Sequence, residues 1–182
     1  MKSSAMKKTA NSLRLRGAAL DTPTDLTATA TRDIAAALNG VLADVFSLFV
    51  KTKNFHWHVS GPHLRDYHLM LVEQAAELLA MTDPIAERVR KLGQITVRSI
   101  GQISRTQRIL DNDAIYVEPS DMLAELRDDN KALAASLRES RGVCEDNHDA
   151  GTAGLIDAWI DETERRTWFL FESGRSGDSS GH

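Results

Sequence analysis

The sequence predicts an all-α protein, built as a four-helix bundle with a short extra helix between its second and third long helices. Four stretches repeat apolar residues every three or four positions, which is the spacing that lines one face of an α-helix. Only 11 glycines and 4 prolines occur in 182 residues, so few turns are encoded. The single cysteine, Cys144, excludes an internal disulfide and cannot by itself supply a zinc ribbon or an Fe–S cluster.

The first two predicted helices are long and follow each other closely. Their apolar patterns cover residues 31–59 and 63–92, with the Ser60-Gly61-Pro62 turn between them, and only Pro84 interrupts the second. We expect their buried residues to be Ile34, Leu38, Val41, Leu42, Val45, Leu48 and Phe49 in the first, and Tyr67, Leu71, Ala75, Leu78, Leu79, Ile85, Val89 and Leu92 in the second.

A long crossover separates these helices from the last two. The stretch from Gly93 to Pro119 is too long for a plain connection, so we expect a short helix near 99–104. The third helix is predicted to begin with Ser120 as N-cap, and a linker over 142–149 leads to the fourth, with Asp149 as its cap. Two long helices, a crossover and two more helices are the ferritin-like arrangement. The expected buried residues are Leu123, Leu126, Leu133 and Leu137 in the third helix, and Leu155, Ile156, Trp159, Ile160 and Leu170 in the fourth.

Charge is divided unequally along the chain. The net charge is −4, but residues 1–20 carry five basic and no acidic side chains, which leaves 17 basic against 26 acidic ones in residues 21–182. We therefore expect a flexible basic arm (1–20), the bundle (21–172) and a flexible tail (173–182). The arm suits DNA phosphates, but a solvating tail without a partner has the same composition. Its basic residues are Lys2, Lys7, Lys8, Arg14 and Arg16.

Neither a membrane span nor a secretion signal is indicated by the sequence. No unbroken run of about 18 apolar residues occurs, and the first residues include no apolar core of a signal peptide. We therefore expect a cytoplasmic protein, associated with the nucleoid if it binds DNA.

A cluster of histidines is the strongest chemical signal in the chain. Histidine together with carboxylates suits iron or manganese, and the best carboxylate pair is Asp83 and Glu87, at i,i+4 spacing on one helix. His68 and Asp83 are 15 residues apart, about 22 Å along a helix, so they can bind one ion only across two subunits with antiparallel helices. Four of the six histidines form the cluster: His56, His58, His63 and His68.

Other interpretations of these residues remain open at this point. Asp83 directly before Pro84 also fits an N-cap with proline in the first turn, which would make Glu87 an ordinary solvated residue. Histidines at helix ends are often plain surface residues. A bundle that binds Zn or Mn without turnover would show the same residues.

Two segments nevertheless resemble the sequence motifs of one family. The stretch His56-Trp57-His58-Val59-Ser60-Gly61-Pro62-His63-Leu64-Arg65-Asp66-Tyr67-His68 resembles the first motif of the Dps family, the DNA-binding proteins from starved cells. The stretch Asp83-Pro84-Ile85-Ala86-Glu87-Arg88 resembles the Asp-x-x-x-Glu-Arg segment of that family, and Leu92-Gly93 follows as usual. The resemblance covers about residues 31–172.

The resemblance implies both an assembly and an activity. It implies a dodecameric shell that oxidises Fe(II), preferably with hydrogen peroxide, stores ferric mineral and protects DNA from oxidative damage. It also implies iron ligands His56 and His68 from one subunit and Asp83 and Glu87 from its partner. Trp57 resembles the tryptophan of the family that takes up oxidising equivalents.

One position departs from the family motif. The family usually carries an Asp four residues after the second motif histidine, and this chain has Val72 there. Glu73 lies about 140° from His68 around the helix, so it cannot take that place. We expect one tight iron position with a weak or absent neighbour. The alternative function is a nucleoid DNA-binding protein whose metal site is weak or structural.

An acidic group near the fourth helix has two interpretations. Glu145, Asp146 and Asp149 could line a pore that attracts Fe²⁺, or they could merely cap the helix.

Overall fold

The computed structural model describes residues 20–175, and all regular secondary structure in that part of the chain is α-helical. The basic side chains of the predicted arm, and residues 176–182 of the predicted tail, lie outside the described residues. The all-α prediction and the short extra helix in the crossover are confirmed. The helices are α1 (Ala28–His58), α2 (Leu64–Lys91), α3 (Ile100–Thr106), α4 (Pro119–Asp146) and α5 (Ala150–Ser173).

The four long helices form two antiparallel hairpins. His56 near the end of α1 lies beside His68 near the start of α2, and Gln94 just after α2 donates a hydrogen bond to Thr31 near the start of α1. In the second hairpin, Arg166 of α5 donates to Asn130 of α4. The crossover between the hairpins carries α3 and returns the chain to the end of the bundle where α1 ends.

The interior of the bundle is mostly apolar because each long helix turns its repeating apolar face inward, although polar side chains such as Arg166 and Asn130 are also buried there. Burial of such surface stabilises the fold by about 25 cal/mol per Å². By length and composition α1 could also span a membrane, but more than half of its most apolar stretch is buried against the other helices. The predicted core residues that are buried are Ile34, Leu38, Val41, Leu42, Val45, Leu48, Leu71, Ala75, Leu78, Ile85, Val89, Leu92, Leu123, Leu126, Leu133, Leu137, Ile156, Trp159 and Leu170.

Two leucines predicted in the core are exposed instead. Leu79 follows the fully buried Leu78, and Leu155 precedes the fully buried Ile156. Neighbouring residues on a helix are 100° apart, so Leu79 and Leu155 lie at the edge of the buried stripe of their helices while Leu78 and Ile156 lie at its centre. The partly buried residues of the predicted core are Phe49, Tyr67 and Ile160.

The predicted start of α4 is wrong by two positions. Pro119 is the first helical residue, and Glu118 rather than Ser120 occupies the N-cap position. Proline suits the first turn because its φ is fixed near the helical value and its missing N–H has no partner there.

The predicted linker before α5 is also too long. α4 continues through Gly142 to Asp146, because Cys144 is buried in the core and this packing outweighs the low helix propensity of one glycine. Asp149 does cap α5, and its carboxylate accepts a hydrogen bond of 3.0 Å from the backbone N–H of Thr152.

Pro84 lies inside α2, and the helix continues through it to Lys91. Asp83 is therefore not the N-cap of a new helix. Proline has no N–H, so the helical hydrogen bond to the carbonyl of Ala80 is missing. The continuous helix keeps His68 and Asp83 about 22 Å apart along its axis.

Candidate metal centre

His56 and His68 form a stacked pair where the end of α1 meets the start of α2. Their ring centroids are 3.8 Å apart and their planes are inclined by 27°. Nδ1 of each ring donates to the main-chain carbonyl of the other residue, both at 2.9 Å. Gly61 allows the tight connection between the helices because its φ of +95° is rarely accessible to other residues.

These hydrogen bonds fix the protons of both rings. A carbonyl oxygen can only accept, so Nδ1 of each ring carries a proton, and in the neutral ring Nε2 then holds the lone pair that binds a metal. Burial lowers the pKa of His56 and the nearby Lys53 charge acts in the same direction, partly offset by the hydrogen bond to the His68 carbonyl. The lowered pKa of His56 favours the neutral imidazole, which is the form that binds metals.

The other two clustered histidines lie apart from this pair. His58 is exposed, and its Nδ1 donates to the carbonyl of Asn54 one turn earlier, at 2.8 Å. His63 is exposed at the start of α2, with its ring centroid 5.6 Å from that of Tyr67. Only His56 and His68 of the four are brought together.

Trp57 lies at the surface directly after His56 and is 64% exposed. The Nζ atom of Lys53 is 5.6 Å from the centroid of one of its rings, where the ammonium is attracted to the negative face of the indole. Sequence reasoning missed Lys53, although its position four residues before Trp57 on one helix was a detectable signal.

One side of α2 carries both halves of the predicted site. His68 lies near its N-terminal end, Asp83 and Glu87 lie near its C-terminal end, and small or apolar residues lie between them. All of these residues fall within about 120° around the helix axis. We define the outer face of α2 by His68, Leu69, Val72, Ala76, Leu79, Ala80, Asp83 and Glu87, of which all but the partly buried His68 and Val72 are exposed.

The structure does not bring the carboxylates to the histidines within one chain. Glu87 is exposed, with its carboxylate 3.4 Å from the ammonium of Lys91. Within residues 20–175, no group of three or more His, Cys, Asp or Glu side chains is placed to hold a metal ion. Since about 22 Å of helix separates His68 from Asp83, an ion bound by both needs two chains.

Val72 and Glu73 lie on different sides of α2, as predicted. Val72 is one turn after His68 on the outer face. Glu73 lines a groove between α2 and α5 together with Met70 and Phe169. Glu73 therefore does not supply a carboxylate beside His68 in place of the missing Asp.

The acidic group before α5 separates into different roles. Asp149 is buried, caps α5 and pairs with Arg88 at 2.7 Å, so the capping interpretation is confirmed for this residue. Glu145 is exposed and pairs with Arg141 of the same helix. A pore role for Glu145 and Asp146 stays a prediction.

Comparisons with known proteins identify the family. Residues 35–172 match the model of the ferritin-like domain. A low temperature-induced protein of Nostoc is 34% identical over 134 residues, covering 73% of this chain and 75% of that protein. The DNA protection during starvation protein of Brevibacillus brevis is 28% identical over 137 residues, covering 75% and 91% of the two chains.

A solved structure shows the same architecture. DpsC from Streptomyces coelicolor superimposes with a TM-score of 0.84 at 25% identity, over 88% of this chain and 94% of that one. The helices and the crossover therefore agree with those of a Dps protein. The chain belongs to the Dps family of ferritin-like proteins.

Proposed function

We propose that this protein oxidises Fe(II), preferably with hydrogen peroxide, at sites shared between two subunits, and stores the ferric product inside a dodecameric shell. His56 and His68 of one subunit and Asp83 and Glu87 of its partner would bind the iron. The single observation that carries the proposal is the histidine pair, whose backbone hydrogen bonds leave both Nε2 atoms free for a metal.

The outer face of α2 supports sharing between subunits. A two-fold axis near Ala76 would place a second α2 antiparallel to the first, so that His68 of each chain lies opposite Glu87 of the other. The apolar residues between them would pack on their counterparts, which accounts for a Leu79 side chain that is 47% exposed in the single chain. Such a dimer contains two equivalent sites.

The chemistry of the four side chains fits iron as the substrate. Neutral imidazoles and carboxylates bind both Fe(II) and Fe(III), so the ion can change its oxidation state in place. Two Fe(II) ions and two protons reduce one hydrogen peroxide to two waters and leave two Fe(III) ions. Because peroxide takes up both electrons, no hydroxyl radical is released. Where only one iron is bound, we propose that Trp57 donates the second electron to hydrogen peroxide.

Fe(II) oxidation by variants tests the site. We expect His56→Ala and Glu87→Ala to slow peroxide-dependent Fe(II) oxidation at least about tenfold, because each removes an iron ligand. His58→Ala is the matched control, since His58 is exposed and outside the pair, and it should oxidise iron like the wild type. Stopped-flow absorbance measures all rates, and unchanged rates in both ligand variants would refute the site.

A mixing experiment tests whether two subunits share each site. Co-assembled His56→Ala and Glu87→Ala chains should form hybrid dimers in which one of the two sites is intact. Random pairing would then restore about a quarter of the wild-type activity. Sites built within single chains would give no recovery, which would contradict the shared site.

The alternative function is DNA binding by the basic arm, with a weak or structural metal site. The separation of charge supports DNA binding, because all charged side chains in residues 1–20 are basic while the remaining chain carries a net negative charge. The Brevibacillus brevis relative is also named for the protection of DNA. The two functions are compatible in one assembly.

Deletion of residues 1–16 tests the arm. The deletion removes all five basic residues of that segment, so DNA binding in a gel shift should be lost at low salt. Full-length protein should bind, and its affinity should fall steeply as salt increases. Equal binding with and without the arm would rule out its role.

A further inference from the structure

Arg88 ties the last part of α2 to the beginning of α5. Its Nε donates to the Thr152 hydroxyl at 2.6 Å, and its Nη2 donates to Asp149 at 2.7 Å. Both acceptors are buried, and Asp149 also caps α5. A planar guanidinium held at two points has a fixed orientation. The contact therefore fixes this part of α2 against rotation relative to α5.

Gly151 leaves the space that this guanidinium occupies. A Cβ atom at position 151 would lie 3.3 Å from Nη2 and 3.6 Å from Cζ of Arg88. This separation from Nη2 is tighter than ordinary contact, so a side chain there would push the guanidinium away by a few tenths of an ångström. Gly154, one turn later, has no such neighbour within 4 Å.

The proline in α2 weakens the helix, so the orientation of the segment after it depends more on the contacts of Arg88 with α5. Pro84 removes one helical hydrogen bond between the half of α2 that carries His68 and the end that carries Glu87. Side chains extend about 6 Å from a helix axis, so a 10° rotation moves a carboxylate by about 1 Å. A displacement of that size matters for a metal ligand, whose distance to the ion is narrowly defined.

We propose that Arg88 is a positioning residue for the carboxylate half of the metal site. Asp149, Thr152 and Gly151 hold its guanidinium at the start of α5, and this fixes the direction in which Asp83 and Glu87 face the partner subunit. The assignment rests on the proposed function of the outer face of α2. Arg88 itself does not touch the iron.

Two variants in the assembled full-length protein test this role. Gly151→Ala displaces the guanidinium, and Asp149→Asn weakens its ion pair while keeping a residue that caps helices well. We expect both to raise the Fe(II) concentration for half-maximal oxidation by about 3- to 10-fold, since small displacements of reacting groups are costly. The limiting rate should change less, and the assembly size should stay at the wild-type value. Asp149→Asn should also lower the melting temperature, because it removes the charge partner of Arg88 at a buried site.

Gly154→Ala is the matched control for Gly151→Ala, because both add one methyl group to the first turns of α5. It should leave Fe(II) saturation unchanged. Zn(II) titration of the same proteins by calorimetry gives a readout without turnover and should show the same order of affinities. If Asp149→Asn fails to assemble, Gly151→Ala decides alone.

The outcomes separate this assignment from the function of the site. If Gly151→Ala saturates like Gly154→Ala while His56→Ala is inactive, the positioning role is overturned and the ferroxidase site stands. If His56→Ala oxidises iron and binds Zn(II) like the wild type, the proposed function falls and this assignment falls with it.

Discussion

Hydrogen bonds to two main-chain carbonyls orient the rings of His56 and His68 as metal ligands. Each ring uses its Nδ1 proton on the backbone of the other residue, so both rings have the same tautomer without help from a carboxylate. Because the acceptors belong to the backbone, replacing one histidine by alanine removes one ring and leaves the acceptor of the other in place. Single variants therefore report the loss of one ligand.

Cys144 is a residue whose burial has a measurable consequence. Its burial, together with the negative charge of Asp149, raises the pKa of the thiol to about 11. The thiolate is disfavoured in the fold, so the unfolded chain gains stability by ionising Cys144 once the pH exceeds about 9. The free energy of unfolding should fall between pH 9 and 11 by on the order of 2 kcal/mol more in the wild type than in Cys144→Ala.

Denaturant unfolding of the two proteins at pH 7, 9 and 11 measures this difference. Alkylation provides an independent check, since iodoacetamide at pH 8 should modify the unfolded chain and leave the folded thiol intact. A parallel pH dependence in both proteins, or rapid alkylation of the fold, would contradict the buried thiol.

At the scale of the elements, apolar periodicity predicted all four long helices. Their buried stripes are set by spacing alone, and α1 and α2 lie within three residues of the predicted bounds. The ends of α4 were wrong because local signals there are weak. A capping serine competes with Pro119 at one end, and one glycine competes with the buried Cys144 at the other.

The sequence also left the course of α2 at Pro84 undecided. A break and a continuous helix both fit Asp83 before Pro84, because capping and ligand positions use the same residue type. Contacts from Arg88 to α5 hold the segment after Pro84 in line. Those contacts join residues more than 60 positions apart, and no local pattern encodes them.

At the scale of the whole molecule, the outer face of α2 is the surface on which the proposed dimer depends. Leu79→Arg would place an unpaired charge in the proposed two-fold interface, which costs several kcal/mol when buried. We expect the variant to lose the large assembly and its Fe(II) oxidation, although the histidine pair is unchanged. Size-exclusion chromatography with light scattering should then detect species near the single-chain mass of 20.1 kDa.

Leu110→Arg is the control for added charge, because Leu110 is 79% exposed in the crossover and lies away from the outer face. It should assemble and oxidise iron normally. A Leu79→Arg protein with the wild-type size and rate would contradict the two-fold packing of α2.

The sequence by itself determined the bundle, the family and the residue types at the candidate site. Helical periodicity and the two motifs are local patterns, so they can be recognised in the sequence without knowing which distant residues are in contact. Only the tertiary structure decided which histidines pair, that Leu79 faces outward, and that Arg88 joins α2 to α5. These features depend on how the helices rotate and pack against one another. That packing is determined by contacts between side chains that are distant in sequence.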